Sequence, residues 1–452
     1  MKKKFFLVIL VLFLLAGSVF LYKKYACPFY CFRKDTPLVT TSVHIVELPN
    51  AYGDTIWLAP CHIPVVSVQI TFRHTAQIFH QEKSPGLGML LTSLLDEGAG
   101  PYTGQELKRK LVDKKITLRI SAEGDHVTVF FKTLAENAAE AFQLLKLMLT
   151  QPRFDDADIT RIKQQLVARL SQSLHQPSVV ATEVFKGKVF PKEHPYGASM
   201  QERIQNIPTI TRDVLNKVTQ SVFTQNRAQV VVAGKIDEKE ITTLVEDLLG
   251  HLPKGQEITY SSPSSLQKVR ETVHVSMPFP QTNIVFSFPA LDRKDPDFYA
   301  FYFAHHVLAG GPQSRLWEAV REKRGLAYGI SSNFFEGKLL EPFCLGLTAT
   351  KTESVEEVIK IIREEMERFV TSGITQEELT FFKRLITGGY ALKFSSTSDL
   401  VHVLSSYRLD SLPLDYVQKR NSYFEKLTVE DVNKVIQRVF LADAITFVTV
   451  GK

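Results

Sequence analysis

Arg321 and Tyr328, seven residues apart, are two side chains in this sequence whose types could do chemistry on a peptide group. A guanidinium and a phenol are both hydrogen-bond donors, able to hold a peptide carbonyl or the oxyanion it becomes on attack. They sit in the stretch Ser-Arg-Leu-Trp-Glu-Ala-Val-Arg-Glu-Lys-Arg-Gly-Leu-Ala-Tyr, from Ser314 to Tyr328.

The elements that position them follow from the same stretch. Ser314 suits a helix N-cap, and Gly325 suits the left-handed residue just past a C-terminus. Leu316, Ala319 and Val320 fall at i, i+3 and i+4, which predicts a short helix docked by one apolar face. The following Ala-Tyr-Gly-Ile-Ser-Ser-Asn-Phe alternates as a strand does. Arg321 is therefore expected near a helix end and Tyr328 at a strand start, close to one corner. On spacing alone the plainer reading is favoured: a surface helix-to-strand turn with a solvated arginine.

The chain of 452 residues is long enough for more than one domain, because single cores rarely grow past about 250–300 residues. Its formal charge of +6 is local. Residues 1–34 carry Lys2, Lys3, Lys4, Lys23, Lys24, Arg33 and Lys34 and no acid; with those seven of 54 basic residues set aside, 47 face 48 acidic ones. A near-neutral body argues against a nucleic-acid partner.

Met-Lys-Lys-Lys precedes Phe5 to Tyr22, eighteen residues without a charge, and Lys23-Lys24 closes the run. A basic start and an apolar run predict an export signal or membrane anchor over residues 1–24. At about 1.5 Å per residue the run just crosses a hydrocarbon layer of about 30 Å. No tidy small-x-small site follows it, which favours an anchor, although Ala16-Gly17-Ser18 leaves cleavage open. Residues 25–42 then form a juxtamembrane segment in which Cys27 and Cys31 could bridge in an oxidising compartment. Cys61 and Cys344 lie in apolar surroundings and read as buried thiols.

The body divides at Ser261-Ser262-Pro263-Ser264-Ser265, a solvated connection by composition. The expected domains are 43–253 and 271–452, joined by a linker over 254–270. Shifting the sequence by 217 positions sets Thr211 on Thr428, Asn216 on Asn433, Lys217-Val218 on Lys434-Val435, Val222-Phe223 on Val439-Phe440, and Gly234-Lys235 on Gly451-Lys452, without a gap across 25 positions. A helix and then a core strand closing each half point to an internal duplication. The predicted class is α+β: two homologous halves, each a mainly antiparallel sheet with helices on one side.

Two such halves, a linker, and the string Arg321-Glu-Lys-Arg-Gly-Leu-Ala-Tyr328 together resemble the pitrilysin/insulinase-type zinc peptidases, the inverzincins, over about residues 43–452. Active members of that family carry His-x-x-Glu-His on the helix that here opens at Gly86. Positions i and i+4 place two imidazoles on one face to bind zinc, with the glutamate as base. The corresponding residues in this chain are Met89, Thr92 and Ser93. The resemblance places a third, glutamate ligand in a helix where this sequence has Ala168 and Arg169, and Ile159 to Thr182 contains no acid at all. A thioether and two hydroxyls make no zinc site. The paired His305-His306 point roughly 100° apart on a helix and cannot easily share a metal, and His194 reads as structural.

What the resemblance implies is a substrate-binding role for Arg321 and Tyr328, with no catalytic residue and no metal ligand on this chain alone. Some bacterial members divide the labour, one chain carrying the zinc motif and the other the Arg/Tyr pair. The expectation is accordingly a non-catalytic, site-completing subunit of an envelope zinc metalloendopeptidase, placed at the periplasmic face of the inner membrane. Its expected partners are a homologous His-x-x-Glu-His subunit that holds the zinc, a peptide substrate, and the membrane through the first residues. The alternative is an inactive structural or peptide-binding relative.

Overall fold

Alternation along β3 (Val65–Phe72) decides how the first sheet packs. Val66, Val68, Ile70 and Phe72 are fully buried in one core, while Ser67, Gln69 and Thr71 between them face the other way, as period-2 geometry requires. The computed structural model describes residues 43–191, 193–256, 263–267 and 272–452. One compact unit runs over Thr41–Lys452.

The first sheet contains β1 (Val46–Leu48), β2 (Ile56–Pro60), β3, β4 (Thr117–Glu123), β5 (His126–Leu134) and β6 (Ala228–Gly234) in the order β1-β2-β6-β3-β5-β4. The second contains β7 (Val273–Ser276), β8 (Thr282–Pro289), β9 (Ala327–Gly337), β10 (Leu340–Thr350) and β11 (Thr446–Gly451) in the order β7-β11-β8-β10-β9. Both sheets are mixed. Each has one parallel pair, β2 with β6 and β7 with β11, and is otherwise antiparallel. Apart from β1, the two sheets share one strand order and the same position for the parallel pair.

The elements leading into the last strand of each sheet also match. The helices that carry the 217-residue repeat are Arg212–Val222 and Val429–Val439, and Thr211 and Thr428 cap them by accepting from Val214 N and Asp431 N. Phe223 and Phe440 end them with nearly equal backbone angles (φ −89°, ψ 85° and φ −88°, ψ 83°). A single turn of tighter helix, Gln225–Arg227 or Ala442–Ala444, then leads into β6 or β11.

The expectation of helices on one side of each sheet is corrected. The helices α1 (Leu87–Leu94), α2 (Ala138–Thr150), α3 (Asp156–Ser173) and their neighbours cover one face of the first sheet, as predicted. Its second face, Trp57, Ala59, Phe130, Val231 and Ala233, is buried under Val401, Leu404 and Tyr407 of a helix over Thr397–Leu409 and Tyr416 and Val417 of another over Tyr416–Glu425. The second sheet is treated reciprocally. The helix α4 (Pro177–Val189), from the first part of the chain, lays Ala181, Phe185 and Val189 on Val285, Phe343, Val448 and Val450. The physical reason lies in the strands. β6 and β11 are buried at every residue, so each sheet has two apolar faces and needs two covers.

Polar groups lock the exchange. Ser67 Oγ lies 2.8 Å from Thr397 Oγ1, and Gln69 Oε1 lies 2.5 Å from His402 Nδ1. Arg408 is buried and donates to Val230 O at 2.7 Å and to Thr55 O. At the opposite edge the two equivalent hairpin tips meet, Lys338 N donating to Asp125 Oδ2 at 2.7 Å.

The anchor expected over 1–24, the segment 25–42 with Cys27 and Cys31, and Ser261-Ser262 of the linker lie outside the described residues. Among the described residues no helix is long and apolar enough to cross a membrane. Cys344 is buried, which pushes its thiol well up, and Cys61 is half-buried.

Candidate functional site

The expected helix from Ser314 forms, but not as a regular α-helix. Ser314 caps it, its Oγ accepting from Trp317 N at 3.4 Å, and Leu316, Ala319 and Val320 are buried in the second core as the spacing predicts. Only Arg315–Trp317 is α-helical; Glu318–Glu322 opens into a π turn, with Lys323 N donating to Glu318 O at 2.9 Å. Gly325 has φ 62°, the left-handed exit expected of it. Arg315 fixes the start, with Nε and Nη2 on the two carboxylate oxygens of Glu378 at 2.7 and 2.8 Å and Nη2 also on Gly373 O at 2.6 Å.

β9 opens with a second irregularity. Ala327 pairs with Thr350 but Ile330 pairs with Thr348, so Tyr328 and Gly329 together oppose a single residue. Such a bulge turns a side chain out of the ladder. Tyr328 is 88% exposed, the most exposed large apolar residue among those described. Thr348 Oγ1 donates to Gly329 O at 2.8 Å and Thr350 Oγ1 to Leu326 O at 2.6 Å, which pins both flanks of the bulge.

The π turn and the bulge bring the two predicted residues together. The Arg321 guanidinium carbon lies 4.6 Å from the centre of the Tyr328 ring and 4.5 Å from that of Trp317. Arg321 is thus held between two aromatic faces, an arrangement favoured by the ring quadrupoles. Its Nε is 3.6 Å from Glu322 Oε1, which also accepts from Trp317 Nε1 at 3.1 Å. Stacking occupies the flat faces of the guanidinium and leaves its N–H edges directed sideways, where a carbonyl or carboxylate oxygen can reach them. Sequence reasoning missed Trp317 and Glu322. The available signal was an aromatic four residues before Arg321, one of only two tryptophans in the chain.

The degenerate metal positions lie in the first core. On α1, Leu87, Leu90, Leu91 and Leu94 are buried, Met89 packs half-buried against the same core, and the Thr92 hydroxyl donates to Gly88 O at 2.9 Å within its own helix. Ser93 is half-buried, and Ala168 and Arg169 are exposed on α3. These five positions offer neither imidazole nor carboxylate and do not fit zinc. Among the described residues no group of three or more His, Cys, Asp or Glu side chains could hold a metal ion. Just past α1, Glu97 accepts from Arg161 at 2.7 Å and pairs with Lys108 at 2.6 Å. Burial opposes its ionised form, and the two cations outweigh burial and hold its carboxyl below the usual range.

The histidines are structural. His194 Nε2 donates to Leu339 O at 2.9 Å while Nδ1 accepts from Tyr196 N. His305 is buried with Nε2 2.7 Å from Ser332 Oγ, and His306 Nδ1 donates to Tyr302 O. Burial pulls His305 down to about 3 and His306 to about 4. Both are depressed below an unfolded histidine (about 6.5), so the unfolded chain takes up their protons first. Stability is then full well above about pH 6.5 and is lost as pH falls toward these values, by on the order of 2–3 kcal/mol per pH unit for the pair. Burial raises Glu336 and Asp410, which offsets part of the loss at the acid end. Thermal melts from pH 7.5 to 4.5 check the sign; His305→Asn should flatten the profile, and an unchanged slope would contradict the assignment.

A family model described as the peptidase M16 inactive domain matches residues 209–385, the stretch that contains Arg321 and Tyr328. By that match the chain resembles the M16 peptidase family, of the inactive-domain type. Among its relatives, a Helicobacter pylori protein named non-peptidase homolog YmxG is 24% identical over 393 residues, 86% of this chain and 89% of its own. The crystal structure of a peptidase M16 inactive domain from Pseudomonas fluorescens superposes with a TM-score of 0.82 at 22% identity, covering 90% of this chain and 98% of that one. The periplasmic protease PqqL of Escherichia coli superposes at 0.73 with 15% identity, covering 96% of this chain and half of PqqL. These likenesses share the fold described above.

Proposed function

We propose that this chain is the site-completing, non-zinc subunit of an M16 metalloendopeptidase of the bacterial cell envelope. The observation that carries the reading is a donor pair held together in a chain whose metal-helix positions offer no ligand. Arg321 and Tyr328 are held together at a capped, bulged corner, while Met89, Thr92, Ser93, Ala168 and Arg169 offer no ligand. A donor pair has use at a hydrolytic site when a homologous subunit with His-x-x-Glu-His supplies the metal and the base. Arg321 and Tyr328 then donate to the peptide carbonyl of a substrate and hold the charge that develops on its oxygen. The matched caps and strand order support descent of the two halves, 43–253 and 271–452, from one duplicated unit. A periplasmic location is supported by the basic and apolar first residues and by the name of PqqL.

The test is reconstitution. The purified chain alone should bind no stoichiometric zinc and cleave no unstructured peptide. Mixed with a His-x-x-Glu-His homologue from the same organism it should give activity, which Arg321→Ala or Tyr328→Phe lowers by roughly 10²–10³. Full activity in both variants would remove the reading. The second reading, a peptide-holding relative without a part in hydrolysis, is favoured by the name of the Helicobacter pylori relative. It expects binding of the same peptide with no gain in cleavage from any partner.

A further inference from the structure

We propose that Trp317 is a positioning residue for Arg321, and that the π turn exists to bring Trp317, Arg321 and Glu322 into one stack against Tyr328. The inference rests on the substrate-binding reading of Arg321 and Tyr328 and adds the groups that aim them. Residues five apart in an α-helix diverge by roughly 140°. Trp317 and Glu322 are five apart, yet Trp317 Nε1 donates to Glu322 Oε1 at 3.1 Å. The wider i→i+5 turn over Glu318–Glu322 is what puts them on one side. The indole is then fixed at three points: by Glu322 on its N–H, by Arg321 on one face at 4.5 Å, and by the backbone at Gly329, where even a Cβ would lie 3.1 Å from Trp317 Cζ3. Without the indole, the guanidinium would keep one aromatic neighbour, Tyr328, a residue itself 88% exposed. A flexible arginine on a mobile ring would sample many directions, and an oxyanion donor loses its advantage when it must be organised during the reaction.

The expected signature is a loss in kcat with little change in KM. In the reconstituted pair with a His-x-x-Glu-His homologue, Trp317→Leu should lower kcat by roughly five- to thirtyfold, and Trp317→Phe, which keeps an aromatic face, should recover most of it. Glu322→Gln should fall between them. If Trp317→Leu keeps full kcat in a pair that Arg321→Ala inactivates, the positioning role is overturned and the substrate-binding reading survives. Indifference to Arg321→Ala as well means that the reading itself has failed, and the inference falls with it. A second measurement uses this chain alone. In a Trp57→Phe background Trp317 is the single tryptophan, and with excitation selective for indole, adding Arg321→Ala should shift its emission and raise its quenching by acrylamide. Identical spectra and quenching with and without Arg321 would overturn the stack.

Discussion

Replacing Arg408 with methionine lowers the stability of the whole protein by about 2–4 kcal/mol, the cost of orphaned buried acceptors and lost packing rather than of a surface ion pair. The side chain is 5% exposed and reaches from the Thr397–Leu409 helix to the far sheet. There it donates to Val230 O at 2.7 Å and to Thr55 O, pairs with Asp54 at 3.2 Å, and lies over Trp57 with 5.4 Å to the ring centre. Methionine keeps most of the stem but donates nothing. Asp54 is partly open to water and tolerates the loss, so most of the cost falls on the two carbonyls. Urea denaturation should show a lower midpoint, with Arg408→Lys recovering part of it. A midpoint within error of the parent would mean that this helix does not hold the first sheet.

Phe185→Ala is the reciprocal case, with an expected loss of about 3–5 kcal/mol from cavity formation in a core. Phe185 is 1% exposed, and its ring lies 5.8 Å from Phe343 and 6.4 Å from Phe190. The informative part is where the loss appears. Phe185 precedes every strand of the second sheet in the chain, yet its helix covers Val285, Val448 and Val450. Hydrogen exchange should therefore accelerate in β8 and β11 more than in β3 and β5. Loosening confined to the first sheet would contradict the exchange of covers.

The same exchange explains which elements the sequence reveals. The helix Arg212–Val222 and its repeat Val429–Val439 are legible, because each has a threonine cap, one apolar stripe and a free polar face. The Thr397–Leu409 helix is not: nothing in the sequence reading assigns an element to residues 393–427. Its inner face includes Thr397, Ser405 and Arg408, all buried, so polarity does not separate inside from outside. Thr397 and Arg408 are polar because they meet groups on a sheet more than 160 residues away in the chain, as Thr397 meets Ser67 and Arg408 meets Val230, a relation no local pattern contains. At the corner the fit is similar. Ser314, Gly325 and the apolar triplet are read correctly, as is the nearness of Arg321 to Tyr328. The π turn escapes, because Leu316, Ala319 and Val320 satisfy an ordinary α-helical stripe equally well. Met89, Thr92 and Ser93 are legible only as departures from a motif, since a leucine-rich helix by itself says nothing of a lost ligand set.

The reciprocal covers make the joint between the two sheets a clasp and not a hinge. A molecule whose lobes merely share a linker can swing open about it and close on a guest. Here a swing would strip Trp57, Phe130 and Val231 of their cover on one side and Val285 and Val448 on the other, baring two apolar sheet faces at once. The Arg321–Tyr328 corner needs no such opening, for it already faces outward. A visitor to this corner meets it on the outside of one compact unit.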